Sequence, residues 1–269
     1  GDTETLLTEG GMQWAYSELF QEFGPAQVAG YLDHALKHSH RVGTLVHYSE
    51  THDNDRLAKR SRAWSLLRNR LSALASVNGG FGFTNGVEWL CAEKINVHSC
   101  RALAWDSEQN IVPELARLNA LLADHPAFFD GAKLTRLSPS DSAIYALGRD
   151  SEEALDSVLV LVNTDPEREH RLTLDLAAEA VRLDLLAQIE GSGPSHECHD
   201  GKITFVLAPG AAHCLSATVQ PQGLHGEAYR RARAQAAFAL TALAHARPLD
   251  QLGSVNWREL AAQVDTDAK

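Results

Sequence analysis

The sequence has no apolar run near the roughly 20 residues that a membrane-spanning helix needs. Basic residues are scarce, since 24 Lys and Arg stand against 35 Asp and Glu and give a net charge of −11. Nucleic acids and anionic membrane surfaces both require a basic patch, so we expect neither as a partner. The first residues, GDTETLLTEGG, lack the charged and apolar regions of a signal peptide, and we expect a cytoplasmic location.

Cysteine is also sparse and shows no regular spacing. The four cysteines, Cys91, Cys100, Cys198 and Cys214, favour reduced thiols over a disulfide framework. The tract 196–199 (HECH) contains metal-ligand residue types, but it lies among glycines and a proline and lacks the spacing of a metal site. We interpret it as a solvated turn, and we expect no metal and no cofactor.

The first half of the 269 residues alternates strand-like and helix-like patterns. The apolar periodicity predicts strands over 12–20, 43–48 and 81–84, and helices over 25–38, 54–76 and 113–123. This alternating order predicts two right-handed βαβ units of a parallel sheet or barrel. The long polar connection 86–110 is of a length that is usually functional.

After Gly131 the pattern changes to short, β-rich segments separated by turns. These segments are 133–138, 143–149, 157–163, 170–175, 181–188, 202–207 and 211–217. Helical patterns return at 226–246 and 255–264. The fold class is therefore α/β followed by all-β, with an α/β part over 1–131, an antiparallel β-sandwich over 132–217 and a helical tail over 218–269.

The candidate site follows the second predicted strand. Residues 43–48 lead into Ser49–Arg56, an entirely polar stretch that reads SETHDNDR. In α/β enzymes the reacting side chains lie at the carboxyl ends of parallel strands. A carboxylate beside an imidazole, here Asp53 beside His52, can hold sugar hydroxyls and stabilise positive charge at a sugar carbon. A simpler alternative is that Asp53 or Asn54 only caps the next helix, because both residue types are favoured caps.

Three ordered stretches resemble motifs of the α-amylase superfamily of glycoside hydrolases and transglycosidases. Residues 49–56 resemble its histidine–aspartate motif after the seventh barrel strand. Residues 79–88 (GGFGFTNGVE) resemble its eighth-strand motif. Arg101–Asp106, followed by 115–126, resembles its arginine-to-tryptophan loop and last barrel helix. The family's all-β C-terminal domain follows its barrel, as the β-rich segments do here.

The resemblance covers about 12–217 and implies strands six to eight of a (β/α)8 barrel within 1–131. The family's nucleophile Asp and its acid/base Glu follow earlier strands, so both are expected upstream of this chain. The chain is then a C-terminal portion of a retaining enzyme that acts on an α-glucan or maltooligosaccharide. We expect the chain to be inactive alone. We also expect it to need the N-terminal half of its parent chain, or self-association, to be stable in solution.

By the same resemblance, Asp53 matches the carboxylate that stabilises the oxocarbenium-like transition state, and His52 matches the residue that hydrogen-bonds the sugar. Four further residues are candidates for binding substrate or ordering the site: Arg56, Glu50, Trp14 and Tyr16. Core packing is an equal alternative for the two aromatic side chains. The role of Glu88 stays open.

Two other interpretations of the chain remain. It can be a non-catalytic carbohydrate-binding or scaffolding module that retains barrel-like motifs. It can also be an unrelated doubly wound domain with a capped helix at residue 54.

Overall fold

The structure is a computed structural model that describes residues 2–96, 98, 103–176, 183–187, 193–248 and 251–267. Residues 1–220 form one compact unit and residues 221–269 a second. Cys100 and Arg101, the first residue of the third motif, lie outside the described residues, as do parts of the predicted connection 86–110 and of the predicted strand 181–188. In the part of the chain that the structure describes, no helix is both long and apolar enough to cross a membrane.

A three-stranded parallel sheet in the order β1-β2-β3 begins the first unit. Its strands are β1 (Trp14–Ser17), β2 (Thr44–Tyr48) and β3 (Phe81–Gly82). The surrounding helices are α1 (Asp2–Thr8), α2 (Pro25–Arg41), α3 (Leu57–Arg60), α4 (Arg62–Leu74) and α5 (Val112–Asp124). Helix α2 joins β1 to β2, and α3 with α4 joins β2 to β3. The parallel pairing is the one that the order of elements predicted.

The single helix predicted over 54–76 is wrong, because two helices occupy this stretch. Ser61 separates them in an extended conformation, with φ −175°. Its hydroxyl oxygen accepts a hydrogen bond from the Trp64 backbone N–H at 3.0 Å and so caps α4. The apolar periodicity runs across this break, which is why the sequence pattern does not reveal it. The strand predicted over 12–20 is also shorter, because a 3-10 turn occupies Leu19–Gln21.

His47 is fully buried on the helix-facing side of β2. Its Nδ1 lies 2.7 Å from the Ser17 hydroxyl, and the Ala75 carbonyl is its second partner. The pKa of His47 falls from 6.5 to about 4, mainly because the ring is buried; the Ala75 carbonyl opposes this fall and the nearby Arg68 charge adds to it. The imidazole is therefore neutral in the folded protein at neutral pH.

This burial predicts a loss of stability in mild acid. Between pH 6.5 and about 4 the unfolded chain binds a proton at His47 that the folded chain does not bind. The free energy of unfolding therefore falls as the pH drops through this window, by about 3 kcal/mol in total. We expect His47→Gln to remove this part of the pH dependence in urea unfolding, and the exposed His199→Gln to leave it unchanged. An identical pH slope in wild type and His47→Gln would contradict the prediction.

Two antiparallel sheets complete the first unit. Their strands are β4 (Lys133–Arg136), β5 (Ile144–Asp150), β6 (Ser157–Asn163), β7 (His170–Leu174), β8 (Leu183–Asp184), β9 (Ser195–His199), β10 (Lys202–Leu207) and β11 (Ala212–Ser216). One sheet has the order β7-β10-β9 and the other β4-β5-β6-β11-β8. A shared apolar cluster contains residues of both sheets, with Phe205 and Leu161 fully buried in it.

The interpretation of the tract 196–199 as a solvated turn is wrong. The tract lies in β9, paired antiparallel with β10, although every residue of β9 is exposed. Pairing with the buried, alternating strand β10 gives it an extended conformation that its own composition does not favour. Among the described residues, no group of three His, Cys, Asp or Glu side chains is arranged to hold a metal ion.

Arg149 connects the five-stranded sheet to the end of α4. This β5 side chain is fully buried and donates to the carbonyl oxygens of Leu74 at 3.1 Å, Ser76 at 2.7 Å and Ala127 at 2.9 Å. Its guanidinium also lies 4.2 Å from the centroid of the Phe128 ring. The guanidinium thus satisfies carbonyl groups at the C-terminal end of a helix, where four are left without intrahelical partners.

The second unit contains two helices, α6 (Gly226–Ala246) and α7 (Trp257–Asp267), close to the predicted bounds. The Trp257 ring contacts two side chains of α6. The Tyr229 ring meets it edge-on at 5.7 Å, and the guanidinium of Arg233 lies 4.7 Å from its centroid.

Candidate active site

A pocket of about 510 Å³ opens at the carboxyl ends of β1, β2 and β3. Four residues predicted from the sequence line it together: Tyr16, Glu50, His52 and Asp53. Seven others complete its wall: Phe20, Gln21, Tyr48, Thr51, Asn54, Phe83 and Thr84. The fold therefore assembles polar and aromatic side chains from three neighbouring strand ends at one opening, as parallel α/β architectures do.

His52 and Asp53 are the exposed ionisable pair of this pocket. Their side chains are 55% and 82% exposed, and His52 Nε2 lies 3.4 Å from Asp53 Oδ1. Neither side chain is buried against the protein, so both are free to meet a ligand that fills the opening. A carboxylate and an imidazole at this spacing can accept and donate hydrogen bonds to neighbouring sugar hydroxyls.

Glu50 and Arg56 form a buried ion pair behind the exposed pair. Arg56 Nε lies 2.8 Å from Glu50 Oε1, with the side chains 0% and 1% exposed. Glu50 Oε2 accepts from the Leu57 backbone N–H at 2.8 Å, and Arg56 Nη2 donates to the Asn85 carbonyl at 3.0 Å. Burial raises the pKa of Glu50, while the Leu57 N–H and the Arg56 charge oppose this rise. The pair joins the connection after β2 to the connection after β3.

These contacts overturn the alternative in which Asp53 or Asn54 caps the next helix. Helix α3 begins at Leu57, and the carboxylate that satisfies its first N–H belongs to Glu50, seven residues earlier. Asn54 instead closes a local turn, with its backbone N–H 3.3 Å from the Thr51 carbonyl. Asp53 has no capping contact and its side chain points into solvent at the pocket, so its placement is not explained by helix capping.

Two tyrosines form the aromatic side of the pocket. The rings of Tyr16 and Tyr48 meet edge-on with centroids 6.2 Å apart. Tyr48 lies over Gly82 so closely that a Cβ on Gly82 would clash with the ring, which is why β3 ends in glycine. Trp14 is 51% exposed but does not line the pocket. Arg56 lies behind the pocket wall. These two predicted residues are therefore not in the pocket wall.

Four of the pocket residues that sequence reasoning missed fall into two groups. Tyr48 and Phe83 occupy positions read only as apolar strand residues, and the period-2 alternation of β2 was the signal that Tyr48 shares a face with Val46. Phe20 and Gln21 reach the pocket through the 3-10 turn after β1, which no motif marked. Glu88 lies outside the pocket wall, and its carboxylate accepts from the Gly86 backbone N–H at 2.9 Å.

The chain is similar in sequence to an α-1,4-glucan:maltose-1-phosphate maltosyltransferase from Cereibacter sphaeroides, with 29% identity over 109 residues. The match covers 37% of this chain and 18% of that relative, so the chain spans about a fifth of the relative's length. No family model matches the chain.

Solved structures share the fold of most of the chain. A γ-cyclodextrin glucanotransferase (γ-CGTase) from the alkalophilic Bacillus clarkii aligns with a TM-score of 0.63 at 15% identity, over 84% of this chain and 35% of that one. An α-amylase from Lactobacillus plantarum aligns with a TM-score of 0.53 at 16% identity, over 77% of this chain and 48% of that one. Together with the maltosyltransferase, these matches confirm the resemblance to the α-amylase superfamily that the three motifs indicated.

Proposed function

We propose that this chain supplies part of the active site of an α-glucan-active glycosidase or transglycosidase. The observation that carries the proposal is the exposed His52–Asp53 pair in an aromatic-lined pocket at the carboxyl ends of three parallel strands. The maltosyltransferase relative, whose name specifies an α-1,4-glucan, supports the same substrate class. The expected ligand is an α-glucan or maltooligosaccharide.

In this proposal β1, β2 and β3 are strands six to eight of a (β/α)8 barrel. The two antiparallel sheets are then the family's C-terminal β-sandwich, and the residues after 217 are a helical tail. Two features of the parallel sheet support the barrel. In the described residues β1 and β3 each pair with β2 alone, and Trp14 and Tyr16 stand 51% and 59% exposed on β1. Unpaired edges and exposed aromatic rings are what a closed barrel covers, so the N-terminal half of the parent chain is the proposed partner.

Asp53 and His52 have distinct roles in the proposed reaction. The Asp53 carboxylate stabilises the positive charge that develops at the sugar carbon in the transition state. His52 hydrogen-bonds a hydroxyl of the same sugar and fixes its position. The buried Glu50–Arg56 pair holds the loop that carries His52 and Asp53. Glu50 and Arg56 lie at the two ends of this loop, where Glu50 binds the Leu57 N–H and Arg56 binds the Asn85 carbonyl.

The retaining mechanism needs two further carboxylates about 5–5.5 Å apart, one as nucleophile and one as acid/base. Glu50 cannot serve as either, because its oxygens are taken up by Arg56 and the Leu57 N–H. Asp53 is thus the exposed carboxylate of the described pocket. Nucleophile and acid/base come from the parent chain's N-terminal half in this proposal, and the 269-residue chain alone is inactive.

That one exposed carboxylate equally favours a second candidate, a carbohydrate-binding module without catalysis. Both candidates predict sugar binding at the pocket and no turnover by this chain. They differ once the chain is joined to its N-terminal half: an active enzyme that loses activity in Asp53→Asn supports the first candidate, and a joined protein that binds sugar without turnover supports the second.

Calorimetric titration with maltotriose tests where this chain binds sugar. We expect His52→Ala and Asp53→Ala each to weaken binding about tenfold or more, because each removes a hydrogen-bonding group from the pocket. The chain offers a matched control in His199 and Asp200, an exposed pair with Nδ1 and Oδ1 3.3 Å apart. His199→Ala and Asp200→Ala should bind as wild type does. Equal affinities in all four variants would refute the proposed site.

A further inference from the structure

Strand β9 is an edge strand that lacks the usual protection against pairing with another chain. Within the described part of the first unit, β9 pairs with β10 on one side and with no strand on the other. Its sequence, SHECH, contains no proline, lysine or arginine, and all five residues are exposed. Natural edge strands are commonly blunted by such residues or by a bulge, so this edge offers backbone groups to a partner strand.

The turn between β9 and β10 determines which backbone groups face the free edge. Asp200 and Gly201 both have positive φ, of 49° and 74°, as a two-residue type I′ hairpin loop requires. The residues that flank such a loop form a hydrogen-bonded pair, and bonded and non-bonded pairs then alternate along the two strands. The backbone N–H and C=O groups of His196 and Cys198 therefore point away from β10.

We propose that β9 pairs antiparallel with β9 of a second copy of this chain, with the two Cys198 residues opposite each other. The free edge is complementary to itself in this register, because Glu197 then lies opposite His199 of the second copy. The two-fold axis of the dimer repeats this pair. An imidazole N–H can donate to a carboxylate, and polar pairs of this kind stabilise neighbouring strands.

The His199 ring is available for this contact. Its side chain is 89% exposed, and its contact within the chain is with Asp200, where Nδ1 and Oδ1 lie 3.3 Å apart. The Asp200 side chain is 86% exposed as well, and exposed pairs of this kind contribute little to stability. The ring can therefore turn to the carboxylate of a second copy at small cost.

The charge pattern selects this register over its nearest competitor. Shifting the pairing by two residues also joins the outward backbone groups, but it brings the two Glu197 carboxylates opposite each other. Like charges directly opposite destabilise a strand pair. The shift also separates the two thiols, because Cys198 then faces His196 of the second copy.

Sedimentation velocity of the full chain under reducing conditions tests the interface. The pairing is short, so we expect a weak dimer in wild type, with a dissociation constant of about 100 µM. Glu197→Lys removes the acceptor of each pair and His199→Glu opposes two carboxylates, so each should weaken the dimer about tenfold or more. The double variant Glu197→Lys/His199→Glu restores opposite charges and should return the dissociation constant to within about threefold of wild type. Arg171→Glu, a charge reversal on β7 at the other edge of the same sheet, is the matched control and should dimerise as wild type does.

Crosslinking at Cys198 and the variant Glu197→Gln test the register. Cys91 and Cys214 are buried and Cys198 is exposed, so in a Cys100→Ser background a short bismaleimide should link two copies through Cys198. Adding Cys198→Ser should abolish the linked dimer. Glu197→Gln should weaken the dimer in the proposed register, whereas it would strengthen a dimer in which the two Glu197 residues face each other.

Three results would overturn the proposal. One is a chain that stays monomeric up to about 1 mM, well above the expected dissociation constant. Another is a dimer that survives both Glu197→Lys and His199→Glu, since a different surface would then form it. The third is a dimer that Glu197→Gln strengthens, because that result identifies the competing register. All of these variants lie on the exposed strand β9, away from the candidate active site, so they leave the proposed function untouched.

Discussion

Replacing Arg56 by methionine is expected to lower the free energy of unfolding by about 3–5 kcal/mol, because it leaves the Glu50 carboxylate buried without its partner. Arg56 and Glu50 are almost fully buried, and Glu50 also accepts the first N–H of α3. The carboxylate cannot move into water without breaking that contact. Urea unfolding followed by circular dichroism measures the change, provided that the slope with denaturant is the same in both proteins.

Two controls separate the lost ion pair from the lost side chain. The double variant Glu50→Gln/Arg56→Met removes the stranded charge and keeps an oxygen for the Leu57 N–H, so it should recover more than half of the lost stability. Arg62→Met breaks an ion pair with Glu114 whose members are 48% and 22% exposed, and it should cost less than about 1 kcal/mol. Equal losses of stability in Arg56→Met and Arg62→Met would show that burial of the Glu50–Arg56 pair does not raise the cost of breaking it.

The second large effect is expected at Arg149, where methionine should cost about 3 kcal/mol or more. The substitution removes the donors to Leu74, Ser76 and Ala127, and their carbonyl oxygens then lie buried without partners. Arg149→Lys keeps the charge, but an ammonium group cannot reproduce the planar fork that contacts all three, so it should recover less than half of the loss. Thermal unfolding and urea unfolding of the three proteins give the comparison.

A loss below about 1 kcal/mol in Arg149→Met would contradict this account of the contact. It would mean that the cost of burying an arginine without a carboxylate cancels the gain from its hydrogen bonds, as replacement of buried charges sometimes shows. The exposed Arg171→Met, on β7, is a control that should change stability by no more than about 0.5 kcal/mol.

The sequence predicted the elements whose patterns are local. Pro25 and the spacing of Val28 and Leu32 predicted α2, and alternating apolar residues predicted β10 and β11 close to their observed bounds. Strand β9 was missed because it is exposed throughout and becomes extended only through pairing with β10. The break at Ser61 was missed because the cap that creates it interrupts a continuous apolar stripe.

The candidate site was predictable where its residues adjoin in sequence and not where the fold brings them together. His52 and Asp53 follow a strand directly, and a single stretch of sequence showed them. The helix cap at Glu50 was not predictable, because favoured cap residues at 53 and 54 lie nearer to the helix than the carboxylate that reaches Leu57. The Tyr48 ring lines the pocket because Gly82, on the neighbouring strand, leaves room for it. This contact between two strands was not predictable from the sequence.

In the proposed function, the chain binds α-glucan at the carboxyl ends of its parallel strands. An amide-resolved NMR titration with maltotriose tests this location most directly. We expect the shifted amides to lie at the pocket, around residues 16–21, 48–54 and 82–84. Shifts confined to the antiparallel sheets, or no shifts at millimolar sugar, would contradict it.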